Sequence, residues 1–194
     1  LLNLPSELRA LIYDYLLPPN ALAHPVRSLA LTSVSHRPPS ISFLLVCSTL
    51  TEELLSHYYR KATFKLVLSH TFNFYRVDPV LDNLSRHPVL QRIEIIELVF
   101  FCDGILVRDY PSFGPEKACQ EVRRRAKRAV EVLEGATALK KVKVSWVDPG
   151  GHWGTRSDIV RPVRALSKRG ILVELGEVLG VEDVKRDNLM RALR

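Results

Sequence analysis

The sequence predicts a mixed α+β/α/β fold: a helical N-terminal module followed by a small open layer of alternating strands and helices. Three observations carry that prediction. Apolar residues recur at helical spacing in two stretches before Lys61. Beyond it, runs rich in Ile, Val and Phe alternate with helix-sized segments. Proline- or glycine-bearing punctuation separates the units.

The first element is read from LPSELRALIYDYLL (residues 4–17). Pro5 suits a first helical turn, where its missing N–H would have no partner, and Glu7 complements the helix N-terminus. Leu4, Leu8, Leu11, Ile12, Tyr15 and Leu16 follow helical spacing and are expected to form the core face. Tyr13 and Leu17 fall outside that stripe and are a surplus that wants an explanation. Pro18 and Pro19 stop the helix.

Residues 20–41 read as a connector, with a short strand expected within Val26–Val34 and a break at HRPPS. A second helix is expected from Ser42 to Tyr59, with Phe43, Leu44, Val46, Cys47, Leu50, Leu54 and Tyr58 apolar and Glu52 and Glu53 on the wet side. The layer then opens with the strand Thr63–Leu68 and a short helix near DPVLDNLSRH, where Asp78 is the candidate cap and Pro79 sits in the first turn. Leu90–Phe101 is the strongest strand signal in the chain. A long helix follows from Pro115 to Glu134, then the strand Leu139–Val147, a helix from Asp158 to Lys168, the strand Ile171–Leu175 and a helical tail from Val181.

Helix-sized connections between successive strands favour parallel neighbours and right-handed crossovers. The phrases VLQRIEIIELVF and ALKKVKVSWV rhyme, which makes the layer at best a degenerate leucine-rich-like repeat, because the strict LxxLxLxxN pattern is absent.

Composition narrows the function classes. The chain has 194 residues, 46% apolar and 25% charged, enough for one ordinary soluble domain with or without a small appendage. No apolar run approaches the roughly 18 residues that cross a bilayer, so no membrane partner is expected. The chain starts at Leu1 with no basic n-region or cleavage site, and reads as an excerpt of a longer or trimmed chain. Cys47, Cys102 and Cys119 form no CxxC pair, and this odd count suits reduced thiols in the cytoplasm or nucleus.

Two helices carry a signature. LPSELRALIYDYLL, then LLVCSTLTEELLSHYY and the strand TFKLVL, resemble the F-box and F-box-like modules abundant in filamentous fungi. Leu4, Pro5, Glu7, Leu8, Arg9, Ile12, Tyr13, Leu16 and Leu17 match the first half; Leu45, Val46, Cys47, Glu53, Leu54 and Tyr58 match the second. The proline-rich interruption between the halves, and Ser48 where an arginine often stands, depart from the pattern.

The resemblance implies a module over 1–62 and an α/β recognition region over 63–194. It also implies a non-catalytic role in a cullin-type ubiquitin ligase. Leu4, Pro5, Leu8, Ile12, Tyr13 and Leu17 would dock a Skp-type adaptor protein, while the downstream region selects a protein substrate whose identity the residues do not give.

Other signals are weaker. The net charge of +7 is confined to the C-terminal part: residues 1–114 hold ten Lys/Arg against ten Asp/Glu. In CQEVRRRAKRAVEVLEG, Cys119, Val122, Ala126, Ala129 and Leu133 make a buried stripe, and Arg123, Arg124, Arg125, Lys127 and Arg128 occupy the other faces. The region 117–143 is therefore the alternative: a basic patch for nucleic acid or an acidic protein partner. Glu121 and Glu131 argue instead for an ordinary solvated face.

DPGGHWGTRS lacks both GK[ST] and GxGxxG, leaving Trp153 as a candidate recognition-loop anchor. Six histidines (His24, His36, His57, His70, His87 and His152) show no metal-ligand spacing, so neither metal nor other cofactor is expected. Asp103 and Asp109 bracket a loop after a strand, yet no nucleophile elbow or base accompanies them, and no enzyme is expected.

Overall fold

The structure is a computed structural model that describes residues 1–19, 31, 33–69, 79–102, 114–148 and 157–193. The fold is mixed α/β around a five-stranded, mostly parallel sheet. Helix α1 spans Ser6–Leu16, and strand β1 is the pair Ser33–Val34. Helix α2 (Ile41–Leu44) is a single turn, and α3 runs Ser48–Lys61. Strand β2 covers Thr63–Ser69, helix α4 Pro79–Arg86, and a 3-10 turn fills Pro88–Gln91. Strand β3 (Ile95–Phe101), helix α5 (Gly114–Glu134) and strand β4 (Lys141–Val147) follow. A broken segment comprises α6 (Ser157–Val160), a 3-10 turn (Arg161–Val163) and α7 (Arg164–Ser167). Strand β5 (Leu172–Leu179) and helix α8 (Asp183–Leu193) close the fold.

The strands lie side by side in chain order, β2 to β5 parallel, with β1 antiparallel on the β2 edge. Register aligns the buried side chains into rows that cross the sheet: Phe64, Ile96 and Val142; Leu66, Leu98 and Val144; Leu68, Phe100 and Trp146. Helices α4, α5 and the 157–167 segment pack on one another as a layer, and Leu81, Leu84, Val122, Ala126, Ala129, Leu133, Val160 and Leu166 join the same core. The intervening sheet residues are mostly half-buried. Lys65, Glu97, Lys143 and Glu174 form a row of alternating charge, in which Glu97 accepts a hydrogen bond from the Ser145 hydroxyl at 2.6 Å and pairs with Lys65 at 3.2 Å. Parallel sheets buried on both faces read as unbroken apolar runs; this alternation belongs to a sheet that is apolar on one face.

Several boundaries differ from the sequence reading. The helix expected over Ser42–Tyr59 is broken at residues 45–47, where Cys47 is extended (φ −165°). The Thr51 hydroxyl lies 2.7 Å from the Leu44 carbonyl and 2.9 Å from that of Cys47, supplying a donor where the broken ladder leaves carbonyls without one. The third strand begins at Ile95 rather than Leu90, because Pro88 and the His87 ring, which accepts the Val89 N–H at 3.2 Å, wind the preceding residues into a 3-10 turn. The last strand continues beyond Leu175 to Leu179 through a bulge at Gly176 and Glu177, which together face Ser145. Gly176 leaves room for the Ser145 hydroxyl, which accepts the Glu177 N–H at 3.0 Å. Pro162 breaks the helix expected over Asp158–Lys168 into three pieces. Most of the strand expected within Val26–Val34 lies outside the described residues; its end is β1.

The boundary placed at residue 62 falls between α3 and β2. Tyr13, Leu17, Leu31, Val34, Leu54 and Tyr58 belong to one core with the sheet, so the hydrophobic interior is continuous across that boundary.

Candidate docking surface

Helix α1 packs on α3 through a polar seam. The Arg9 guanidinium grips Glu53 with both prongs, Nε to Oε2 at 2.8 Å and Nη2 to Oε1 at 2.7 Å, and the Tyr13 hydroxyl donates to Oε2 at 2.8 Å. One turn on, Asp14 Oδ1 lies 2.7 Å from His57 Nε2 and 2.6 Å from Lys61 Nζ. Arg60 lies 2.8 Å from the other ring nitrogen of His57. An arginine has only donors to offer, so Nδ1 accepts and Nε2 carries the proton given to Asp14. Spacing explains the match: Arg9 and Tyr13 are four apart on α1, while Glu53, His57 and Lys61 are successive fours on α3.

These pairs set the local titration. Hydrogen bonds from Lys61 and then His57 hold the Asp14 carboxyl down to about 2. Arg9, and next Tyr13, lower Glu53, whereas burial and then Glu53 raise the Tyr13 phenol.

The seam decides which way α1 faces, and it turns most of the expected core face outward, while Leu16 of that stripe still packs against the core. Tyr13 and Leu17, read as surplus, are buried, Leu17 completely. They are therefore not available to a partner, which corrects their place in the docking set. Leu4, Leu8, Leu11 and Tyr15, read as core, are exposed, Tyr15 to 90%. Pro5 is also exposed, and Ile12 is half-buried. The other helix packed on α3 does the same: Ile41, Phe43, Leu45 and Val46 in and after α2 are exposed, Leu45 to 79%. Leu11, Tyr15 and these four exposed residues lie outside the docking set that the resemblance implies. The available signal was the pair Arg9 and Glu53, each in its half of the signature, whose opposite charges mark a seam between the halves.

The basic helix α5 is buried along the expected stripe, with Cys119, Val122, Ala126, Ala129 and Leu133 all inside. Its charged side is largely engaged within the chain. Arg124 pairs with Glu121 at 2.6 Å, Arg128 with Asp82 at 2.8 Å and Glu131 at 3.0 Å, and Arg123 with Asp158 at 3.6 Å. Arg125 is buried and donates to the Ser69 carbonyl, so it is a structural link between α5 and β2 and not part of a surface patch. Lys127 is exposed. Arg125 sits between Val122 and Ala129 at helical spacing, which is how a stripe can include the stem of an arginine.

Trp153, Asp103, Asp109, His24, His70 and His152 lie outside the described residues. Among the described residues, no group of three or more His, Cys, Asp or Glu side chains is placed to hold a metal ion, and no helix is long and apolar enough to cross a membrane. No family model, curated protein or solved structure matches this chain.

Proposed function

We propose that the chain is a non-catalytic, F-box-like adaptor that docks a Skp-family protein through its N-terminal helices and recruits a protein substrate to a cullin-type ubiquitin ligase. The observation that supports this reading is the outward apolar face of α1. Leu4, Leu8, Leu11 and Tyr15 would be buried if α1 merely completed the core; instead the Arg9–Glu53 seam turns them outward. Fixing the helix pair beforehand lowers the ordering cost of binding, and the apolar area supplies the drive.

In this reading Leu4, Pro5, Leu8, Leu11 and Tyr15 meet the adaptor, with Ile41, Phe43, Leu45 and Val46 extending the contact. The α/β region holds the substrate near a ubiquitin-charged enzyme, in the cytoplasm or nucleus. Co-purification with a Skp-type adaptor tests the reading: the intact chain retains the adaptor, and Leu8→Glu with Leu11→Glu releases it. The alternative, a nucleic-acid or acidic-protein face over 117–143, is weakened by the carboxylates already paired with Arg123, Arg124 and Arg128.

A further inference from the structure

Among the described residues, three arginines with no acidic partner line one cleft between the 157–167 segment and α8. The cleft has a volume of about 380 Å³ and is lined by Ser157, Asp158, Arg161, Arg164, Asn188, Arg191 and Ala192. Its walls are anchored from behind by buried Ile159, Val160 and Val163 on one side and Leu189 and Leu193 on the other. Arg161 and Arg164 are three residues apart, as are Asn188 and Arg191, so each wall presents its polar groups on one side.

Three guanidiniums thus share a cleft with one carboxylate, and that carboxylate, Asp158, also faces Arg123 at 3.6 Å. Among the described residues no acidic side chain pairs with Arg161, Arg164 or Arg191, whereas Arg9, Arg124 and Arg128 each have one at 2.6–2.8 Å. Like charges gathered without counter-charge cost stability, and a bound dianion removes that cost.

We infer that the cleft binds a phosphomonoester dianion carried on a small hydroxylated molecule, independently of the N-terminal docking surface. Guanidinium forks match phosphate oxygens two at a time. Ser157, Asn188 and Asp158 offer the acceptors and donors that hydroxyl groups need. Among the described residues no aromatic or long apolar side chain lines the cleft, so none of them offers a nucleobase a face to stack on or an acyl chain an apolar channel. The volume falls at the lower end of the range of small-molecule sites.

Calorimetric titration of the purified chain with ribose 5-phosphate tests this, beside ribose, a phosphoserine peptide and a DNA oligonucleotide. Saturable heat is expected with ribose 5-phosphate and none with ribose. Affinity falls about tenfold or more in Arg161→Gln with Arg191→Gln, the loss expected when a charge-assisted hydrogen bond is removed. The exposed-surface control Lys127→Gln leaves it unchanged. Arg161→Lys, which keeps the charge but not the fork, binds at an intermediate level, and circular dichroism confirms that each variant is folded. The inference is overturned by absence of saturable heat with ribose 5-phosphate, by equal affinity in the double variant, or by binding confined to the peptide or the oligonucleotide.

Discussion

Arg9 and Glu53, 44 positions apart in sequence, meet through two parallel hydrogen bonds of 2.8 and 2.7 Å that join α1 to α3. This contact turns Tyr13 and Leu17 inward and leaves Leu8 and Leu11 outside.

The inverted face makes a sharp stability contrast. Leu17→Ala removes a fully buried side chain and is expected to cost about 3 kcal/mol. Tyr13→Phe leaves the ring but deletes the donor to Glu53, costing about 1 kcal/mol. Leu11→Ser and Tyr15→Ser stay within about 0.5 kcal/mol of the parent, as exposed positions do. Urea denaturation of the four variants measures all of this. A loss of several kcal/mol for Leu11→Ser would mean that α1 faces the other way.

The acid limb of stability should report the α1–α3 seam. A carboxyl whose pKa is lower in the folded chain stabilises the fold above its unfolded value, and the contribution disappears as pH falls through the folded value. For Asp14 the window runs from its ordinary 3.8 down to about 2. Glu53, also lowered, acts in the same direction. Asp14 is nearly half exposed, so solvent screening keeps its share small. Protection factors of the α1 amides, corrected for the pH dependence of intrinsic exchange, are expected to fall between pH 4 and pH 2 in the parent, and to respond less in Asp14→Asn. An identical acid response in the variant would contradict the assignment.

Two glycines with positive φ separate conformational strain from steric clash. Gly170 (φ 78°) has open space where a Cβ would stand, so Gly170→Ala carries the backbone cost alone, about 1 kcal/mol. At Gly180 (φ 75°) a Cβ would run into the Asp148 carbonyl beside the end of β4, so Gly180→Ala is expected to destabilise substantially more. Thermal melts of the two variants check the order.

Local pattern carried the sheet and its helices. The Ile and Val run of β3, the alternation in β4 and the apolar stripe of α5 each arise within one element, so they are legible in the sequence. The inward face of α1 is not, because counting apolar residues favours the leucine stripe whereas the packed face is chosen by Glu53 on another helix. The break at residues 45–47 rests on a Thr51 hydroxyl, and the extension of β5 past Gly176 rests on a cross-strand partner, Ser145; neither cause is a property of the segment itself. Arg125 was misplaced for the same reason: its partner, the Ser69 carbonyl, is 56 positions away. The arginines of the 157–191 cleft are not legible as a group because they are not consecutive in sequence, while those of α5 nearly are.

The docking reading meets its most direct test in size-exclusion chromatography of the intact chain mixed with a purified Skp-type adaptor at micromolar concentration. A one-to-one complex is expected, and it is lost in Leu8→Glu with Leu11→Glu, a variant whose melting temperature stays near that of the parent. Failure of the intact chain to form the complex, or a complex indifferent to that double substitution, would contradict the docking reading.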